Sequence, residues 1–464
     1  MTTEQDTLEK GWMTEQTATP LYEEFLSQRA VQAYTLTNSA LNMIGMRDGS
    51  EAKFGAGYNV LPVWKERMDG ETLVPTPNCD VIYSMSYLDL KKDGPLVVYA
   101  PPGVIGMFDD FFQRPITDVG LSGPDNGQGG LYLLLPPDYQ GHVPGGYYVF
   151  RSRTYNVFLF WRNILTPGDD GPDTTQGVAQ AEQTLIYKLG SFEKDRPTMQ
   201  FPNASFVPVN MLAPTGFTYW EKLKEFVDYE PVECMAPEVR GMLASIGIIK
   251  GEPFDLDGRQ KEILTRAAEL APQMILAQRA MKGTFEKIRY YNDRQWFNVF
   301  SGIDAEFMTN TYLDLDVRAA YFQFAYSVAP AMLNDTVDKG AKYPAAMHDA
   351  DGELLTGERT YRLHLPPDVP AALYWAATAY NPKDGTMPIT DQKFPSINAL
   401  NKPQYNEDGS IDIYFGPEKP GEVHERNWLQ TMPDHVWLVG LRLYGTKASF
   451  YTQKWKPDDI VRMG

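Results

Sequence analysis

Cysteine and histidine are scarce in this chain of 464 residues, which holds two of the first and five of the second. Two thiols, Cys79 and Cys234, cannot build a disulfide framework or a multi-thiolate zinc site, and they suit a reducing compartment. Among His142, His348, His364, His424 and His435 no pair has the H-x-x-x-H spacing of a helical metal site, although the last three could converge across a β-sandwich. No metal and no cofactor are expected. Basic charge is also short: 42 Lys and Arg face 60 Asp and Glu, a net charge of −18. So acidic a surface repels phosphate backbones and anionic lipid, which argues against nucleic-acid and membrane partners. No apolar run reaches the roughly 18 residues of a membrane-spanning helix. The opening MTTEQDTLEKGWMTEQ lacks both the basic and the apolar segment of a secretory signal, so a cytoplasmic protein is expected. The G-x-S-x-G elbow, the Walker loop and a G-x-G-x-x-G turn after a strand are absent too, which removes the common hydrolase, nucleotide and dinucleotide signatures.

What is present is a soluble composition, 43% hydrophobic and 22% charged, in a chain long enough for more than one core. Residues 21–46 space Leu21, Phe25, Val31, Leu36, Leu41 and Ile44 loosely as a helix would. From about 75 to 165 the texture changes to short alternating runs (DVIYSMSYLDL, PLVVYAP, GLYLLLPP, GYYVFRSRTYNVFLFW) punctuated by Pro and Gly, the mark of a sandwich or jelly roll rather than of βαβ units. Helical patterns return between 172 and 330; in the longest, Ile263, Leu264, Ala267, Leu270, Met274, Ile275 and Met281 form one apolar stripe. After Pro330 the β texture resumes. The organisation expected is an N-terminal helical segment (1–60), a first β domain (61–171), a helical connecting region (172–330) and a second β domain (331–464). LYLLLPPDY and YRLHLPPDV echo each other across the two β regions, by chance or by duplication.

The first β region, with TPNCDVIYS, GPLVVYAP and DVGLSGPDNGQGGLYLLLPPDYQGHVPGGYYVFRSRTY, resembles the domain of unknown function 1254. The second, with YPAAMHDADGELLTGERTYRLHLPP, YWAATAYN, NEDGSIDIYFGP, NWLQTMP and LRLYG, resembles its usual partner, the domain of unknown function 1214. The resemblance implies a multidomain α and β protein with two antiparallel jelly-roll-like β-sandwiches joined by helices. It brings no settled activity.

Several stretches carry candidate chemistry. In TPNCDVIYSMSYLDL, Pro75 and Pro77 impose extended backbone and Asn78 suits a turn, so Asp80 is held at the mouth of a strand. It either anchors the strand by accepting backbone N–H groups or acts as acid or base beside Tyr83; residues three apart on a regular strand face opposite ways, so the second use needs an irregular start. In FDDFFQRPITDVG, Arg114 is placed to hold a carboxylate such as Asp118, or a substrate anion. Asp80, Tyr83, Arg114 and Asp118 are therefore the candidate catalytic group, expected to share one cleft, and Tyr132, Arg153, Trp375, Trp428 and Arg442 the candidate binding residues. DADGE, NEDGS and DLDG lack the twelfth-position glutamate of an EF-hand and read as Asp-Gly turns. Two functions are open: a cofactor-independent hydrolase or lyase using acid–base chemistry on a small organic substrate between the β domains, or a non-catalytic carbohydrate- or ligand-binding or capsid-like self-assembling protein. A homo-oligomer is expected in either case.

Overall fold

A computed structural model of the chain describes residues 11–191, 198–300 and 304–463; the first ten residues of the opening stretch lie outside it. Helix α1 (Glu15–Phe54) starts at a capping box between Thr14 and Thr17 and ends at Gly55, whose φ of 98° is open to glycine at little cost. It outruns the stretch with helical spacing at both ends. Residues 37–46 are buried on every side, so the polar face that would have marked the period is missing there. One flank lies so close to the chain at 210–213 that a Cβ on Gly45 would sit 2.2 Å from the Leu212 carbonyl oxygen.

The first β domain comprises β1 (Val81–Asp89), β2 (Leu96–Ala100), β3 (Ile105–Asp110), β4 (Pro115–Val119), β5 (Gly130–Leu135), β6 (Tyr148–Arg151), β7 (Asn156–Ile164) and β8 (Leu185–Lys188). They form two four-stranded sheets, ordered β1-β7-β3-β4 and β8-β2-β5-β6. Phe108, Tyr132, Leu134, Leu159 and Trp161 fill the space between them. Strand β8 comes from the stretch read as helical connector. Its run LIYK is short and follows a helical turn, and pairing with β2 draws it into the sheet.

The second β domain comprises β9 (Phe297–Asn298), β10 (Ala341–Lys342), β11 (Pro344–Ala346), β12 (Tyr361–Leu365), β13 (Ala371–Tyr380), β14 (Ser396–Asn398), β15 (Ile411–Gly416), β16 (Trp428–Gln430), β17 (Leu438–Thr446) and β18 (Val461–Arg462). One sheet runs β9-β11-β17-β13-β14, with β10 also on β17, and the other β16-β15-β12-β18. Leu363, Trp375, Ile413, Leu441 and Leu443 lie between them. The expectation of wholly antiparallel sandwiches is corrected in each domain: β5 with β6, and β15 with β16, pair in parallel. The connections 136–147 and 417–427 are long enough to carry the chain back to the end it left. The acidic turns behave as turns, with Asp349 accepting from Asp351 and Glu353, Asp408 accepting from Ser410, and Asp257 capping the helix that starts at Gly258.

Helices α2 (Phe217–Tyr229), α3 (Pro237–Ala244), α4 (Gly258–Ala280) and α5 (Leu315–Phe324) gather about α1, and the single turn α6 (Pro330–Leu333) packs on β10 and β4. Together they cover the outer faces of β1-β7-β3-β4 and β13-β17, so one central core runs from Tyr34 and Ile44 through Phe158 and Phe160 to Tyr374 and Tyr444. No described helix is long and apolar enough to cross a membrane.

Candidate active site between the two β domains

The segment Thr76–Asp80 joins the two β domains. Tyr380 donates to the Pro77 carbonyl at 2.5 Å, Arg442 donates to the same oxygen at 3.1 Å, and Asn78 reaches the Tyr444 hydroxyl at 3.1 Å. The Thr76 N–H bonds the Gly385 carbonyl at 2.7 Å. Asp80, only 1% exposed, is ringed by Arg67 Nη2 at 3.0 Å, Ser396 Oγ at 2.6 Å and Asn398 Nδ2 at 2.5 Å. Arg67 is fixed in turn by the Cys79 carbonyl and by the Phe394 ring 4.0 Å from its guanidinium carbon. Pro75 and Pro77 thus present the turn to the second domain, and strand alternation then aims Tyr83 inward.

Above this clasp is a cavity of about 110 Å³. Tyr83 and Arg162, neighbours across β1 and β7, form one wall. Alternate residues of β17, Leu438, Gly440, Arg442 and Tyr444, form the opposite one, with Tyr380 of β13 beside them. The last turn of α5, with Tyr321 and Phe324, and Tyr326 just after it close the cavity, and Phe300, Met332 and Tyr343 complete the far end. Arg442 is 7% exposed and bonds Thr378 Oγ1 at 2.9 Å besides Pro77. Arg162 lies 4.7 Å from the Phe160 ring and points Nη2 at the Met332 sulfur, 3.8 Å away. Among the described residues neither guanidinium forms an ion pair with a carboxylate. Burial pushes the Tyr83 hydroxyl up to about 12, with Arg162 pulling it back. Burial likewise holds Tyr326 and Tyr343 well above the usual phenol range.

Two more carboxyls share the sheet face that carries Arg162. Asp118 accepts the Ala331 N–H at 3.1 Å through Oδ2, while its Oδ1 has no partner. Burial raises it to about 6, against the pull of Ala331 and Arg162. Asp109 is wholly buried and neither oxygen makes a hydrogen bond of normal geometry, although Ser327 is near enough to ease its charge; burial raises it well above the usual range.

Of the residues singled out from the sequence, Tyr83 and Arg442 line the cavity. The cleft expected to unite Asp80, Tyr83, Arg114 and Asp118 is not formed as such. Asp80 is taken up by the clasp. Arg114 turns to Asp110, four residues back, with Nε 2.7 Å from Oδ2, because the tight loop between β3 and β4 brings that carboxylate nearer than Asp118. Asp118 bonds the N–H of Ala331, the residue before Met332, and does not line the cavity. Tyr132 sits inside the first sandwich bonded to Asp125 at 2.8 Å, and Trp375 inside the second. Arg153 forms a surface fork with Glu306 at 2.7 and 2.9 Å, and the Trp428 indole donates to the Gly416 carbonyl at 3.1 Å. Arg162, Tyr321, Tyr326, Tyr343, Tyr380 and Tyr444 were not singled out as binding residues. A usable signal existed for the arginine: VFLFWR and VGLRLYG are apolar on both faces, and an arginine in such a strand must be buried. Among the described residues no group of three or more His, Cys, Asp or Glu side chains is placed to hold a metal ion. His364 is bonded to Asp412 at 3.0 Å and His435 to the Pro433 carbonyl at 2.9 Å.

Residues 58–187 match the family described as protein of unknown function DUF1254, and residues 340–448 the one described as protein of unknown function DUF1214. The chain belongs to the proteins that pair them. The DUF1254 match ends within β8, the strand that the connecting region lends to the first sandwich. The cavity is walled by both domains and closed by the helical region between them. Protein VPA0106 of Vibrio parahaemolyticus, known from a crystal structure, is 17% identical, with a TM-score of 0.57 over 95% of this chain and 100% of that one. This is a likeness of fold. An uncharacterized protein of Burkholderia cenocepacia aligns at 13% identity over 96% of each chain, with a TM-score of 0.42. No curated protein matches the chain.

Proposed function

We propose that the protein is an enzyme acting on a small organic acid, a hydrolase or lyase that holds its substrate in the cavity between the DUF1254 and DUF1214 domains. Both domains are read as jelly-roll-like, with the site between them rather than within either. One observation carries the proposal: Arg162 and Arg442 enter the same cavity, and neither has a carboxylate partner there. Arg442 is buried and Arg162 half-buried, and a guanidinium group withdrawn from water is costly unless paired, so an anion entering the cavity supplies what the protein withholds. The volume bounds its size: benzene occupies a cavity of ~150 Å³, so one of about 110 Å³ takes a short aliphatic acid rather than an aromatic one. Tyr83, whose hydroxyl keeps its proton to about 12, donates to a substrate oxygen next to Arg162. Asp118, at about 6, is the nearby group that exchanges protons close to neutrality.

Calorimetric titration with butyrate tests the site. Binding to the wild type, weakened about tenfold or more by Arg442→Gln and by Arg162→Gln, is the expected result, as for lost charge-assisted hydrogen bonds. Absence of binding by butyrate and by shorter carboxylates would end this reading. Binding without turnover of any ester, amide or hydroxy acid offered would leave the ligand-binding function, which the full engagement of Asp80 in the clasp favours.

A further inference from the structure

Outside the inner cavity is a second, larger one of about 700 Å³, and the two share Phe300, Met332 and Tyr343 as a common wall. Their chemistry differs. The inner cavity offers aromatic rings, tyrosine hydroxyls and two guanidinium groups. The outer chamber is lined by Asn298, Thr309 and Asn310, with Arg289, Asp304 and the paired Lys342 and Asp335 also on its wall. Two cationic and two anionic side chains balance there, so the chamber suits neutral hydrogen-bonding groups better than a second ion.

The dividing wall is thin. Phe300 packs on Tyr343 with ring centres 6.1 Å apart and on Tyr321 at 5.3 Å, so two of the wall's three side chains are held by aromatic neighbours. Met332 is different. It lies on the single turn α6, tethered through the Ala331 N–H to Asp118, and its thioether faces the Arg162 guanidinium. An unbranched thioether with three rotatable bonds adapts to a neighbour more readily than a ring does.

We propose that the two cavities take one elongated amphipathic molecule, its acidic apolar end against Arg162 and Arg442 and a hydroxyl- or amide-bearing arm passing Met332 into the outer chamber. Met332 is then the residue that sets how long a substrate the site accepts. This rests on the inner cavity being an organic-anion site, and the test separates the two claims.

Butyrate and butyrate bearing a hydroxyethylamide arm at its far end are titrated into the wild type, Met332→Trp and Asn310→Ala, and the ratio of the two affinities is read. In the wild type the armed acid is expected to bind about tenfold more tightly. Met332→Trp, which thickens the wall, should bring the ratio to one or below. Asn310→Ala, at an exposed position where folding is not at stake, should cut it severalfold. If butyrate binds and the armed acid binds equally or worse in the wild type, the extended site is refuted while the anion site stands. A ratio that neither variant changes refutes it as well. If neither acid binds, both claims fall together.

Discussion

Buried aspartates in this protein meet different fates according to what stands within about 3 Å of them, as Asp80, Asp109 and Asp118 show. Asp80 has a guanidinium and two side-chain donors; Asp109 has none in good geometry; Asp118 has one backbone N–H. The last case gives a pH signature. Its folded value of about 6 lies above the ordinary 3.8, so the folded state holds the proton that the unfolded state has released. The stabilisation from that proton is complete below about pH 4 and disappears as the pH rises through 6, a change of about 3 kcal/mol. Asp118→Asn removes the titrating group. Urea unfolding of wild type and variant at about pH 4.5 and pH 7 should show the stability difference moving in the variant's favour by a large part of that amount at the higher pH. A difference that is the same at both values would mean that the carboxyl is not perturbed.

Elements are positioned by close approaches as much as by burial. α1 carries Gly45 and Gly49 on the flank that meets Asn210–Ala213, and at Gly45 a Cβ would stand 2.2 Å from one carbonyl oxygen and 2.6 Å from its carbon. In an isolated helix Gly45→Ala would help by about 0.5–1 kcal/mol. Here the added methyl meets backbone, which cannot turn aside, so the substitution should destabilise by about 1–3 kcal/mol and lower the melting temperature. An unchanged or raised Tm would show that 210–213 yields. The helical spacing of residues 21–46 was readable from the sequence, because part of that stretch keeps an exposed face. The need for glycine at 45 was not, since the chain it touches is remote in sequence.

At the scale of the molecule, the two sandwiches meet through their outer faces, and the clasp at 76–80 decides their register. Arg67 is buried with Asp80 as its ion-pair partner, so Asp80→Asn leaves a guanidinium uncompensated and loosens the bonds to Ser396 and Asn398 across the domain boundary. Removing one member of a buried pair costs about 3–5 kcal/mol. The variant should therefore lose that much in urea unfolding, and Arg442, held by Pro77 in the same turn, should lose affinity for butyrate with it. Full stability with slowed turnover would return Asp80 to the chemistry.

The sequence by itself determined the order of helical and β regions, the two families, and the local constraint on TPNCD, because each is written in short-range period, turn chemistry or motif. Alternation along β7 and β17 also settled that Arg162 faces with Phe160 and Arg442 with Tyr444. What meets those faces was decided only by the tertiary structure. Period tells which side of a strand is buried but carries no address for the surface that buries it. Two of the three side chains that hold Asp80 lie in β14, the carboxylate nearest Arg114 is set by a loop, and the two guanidinium groups share a cavity only because outer faces of separate domains come together. Parallel pairing of β5 with β6 and of β15 with β16 was undetermined for the same reason, since a strand's own pattern is alike in either direction.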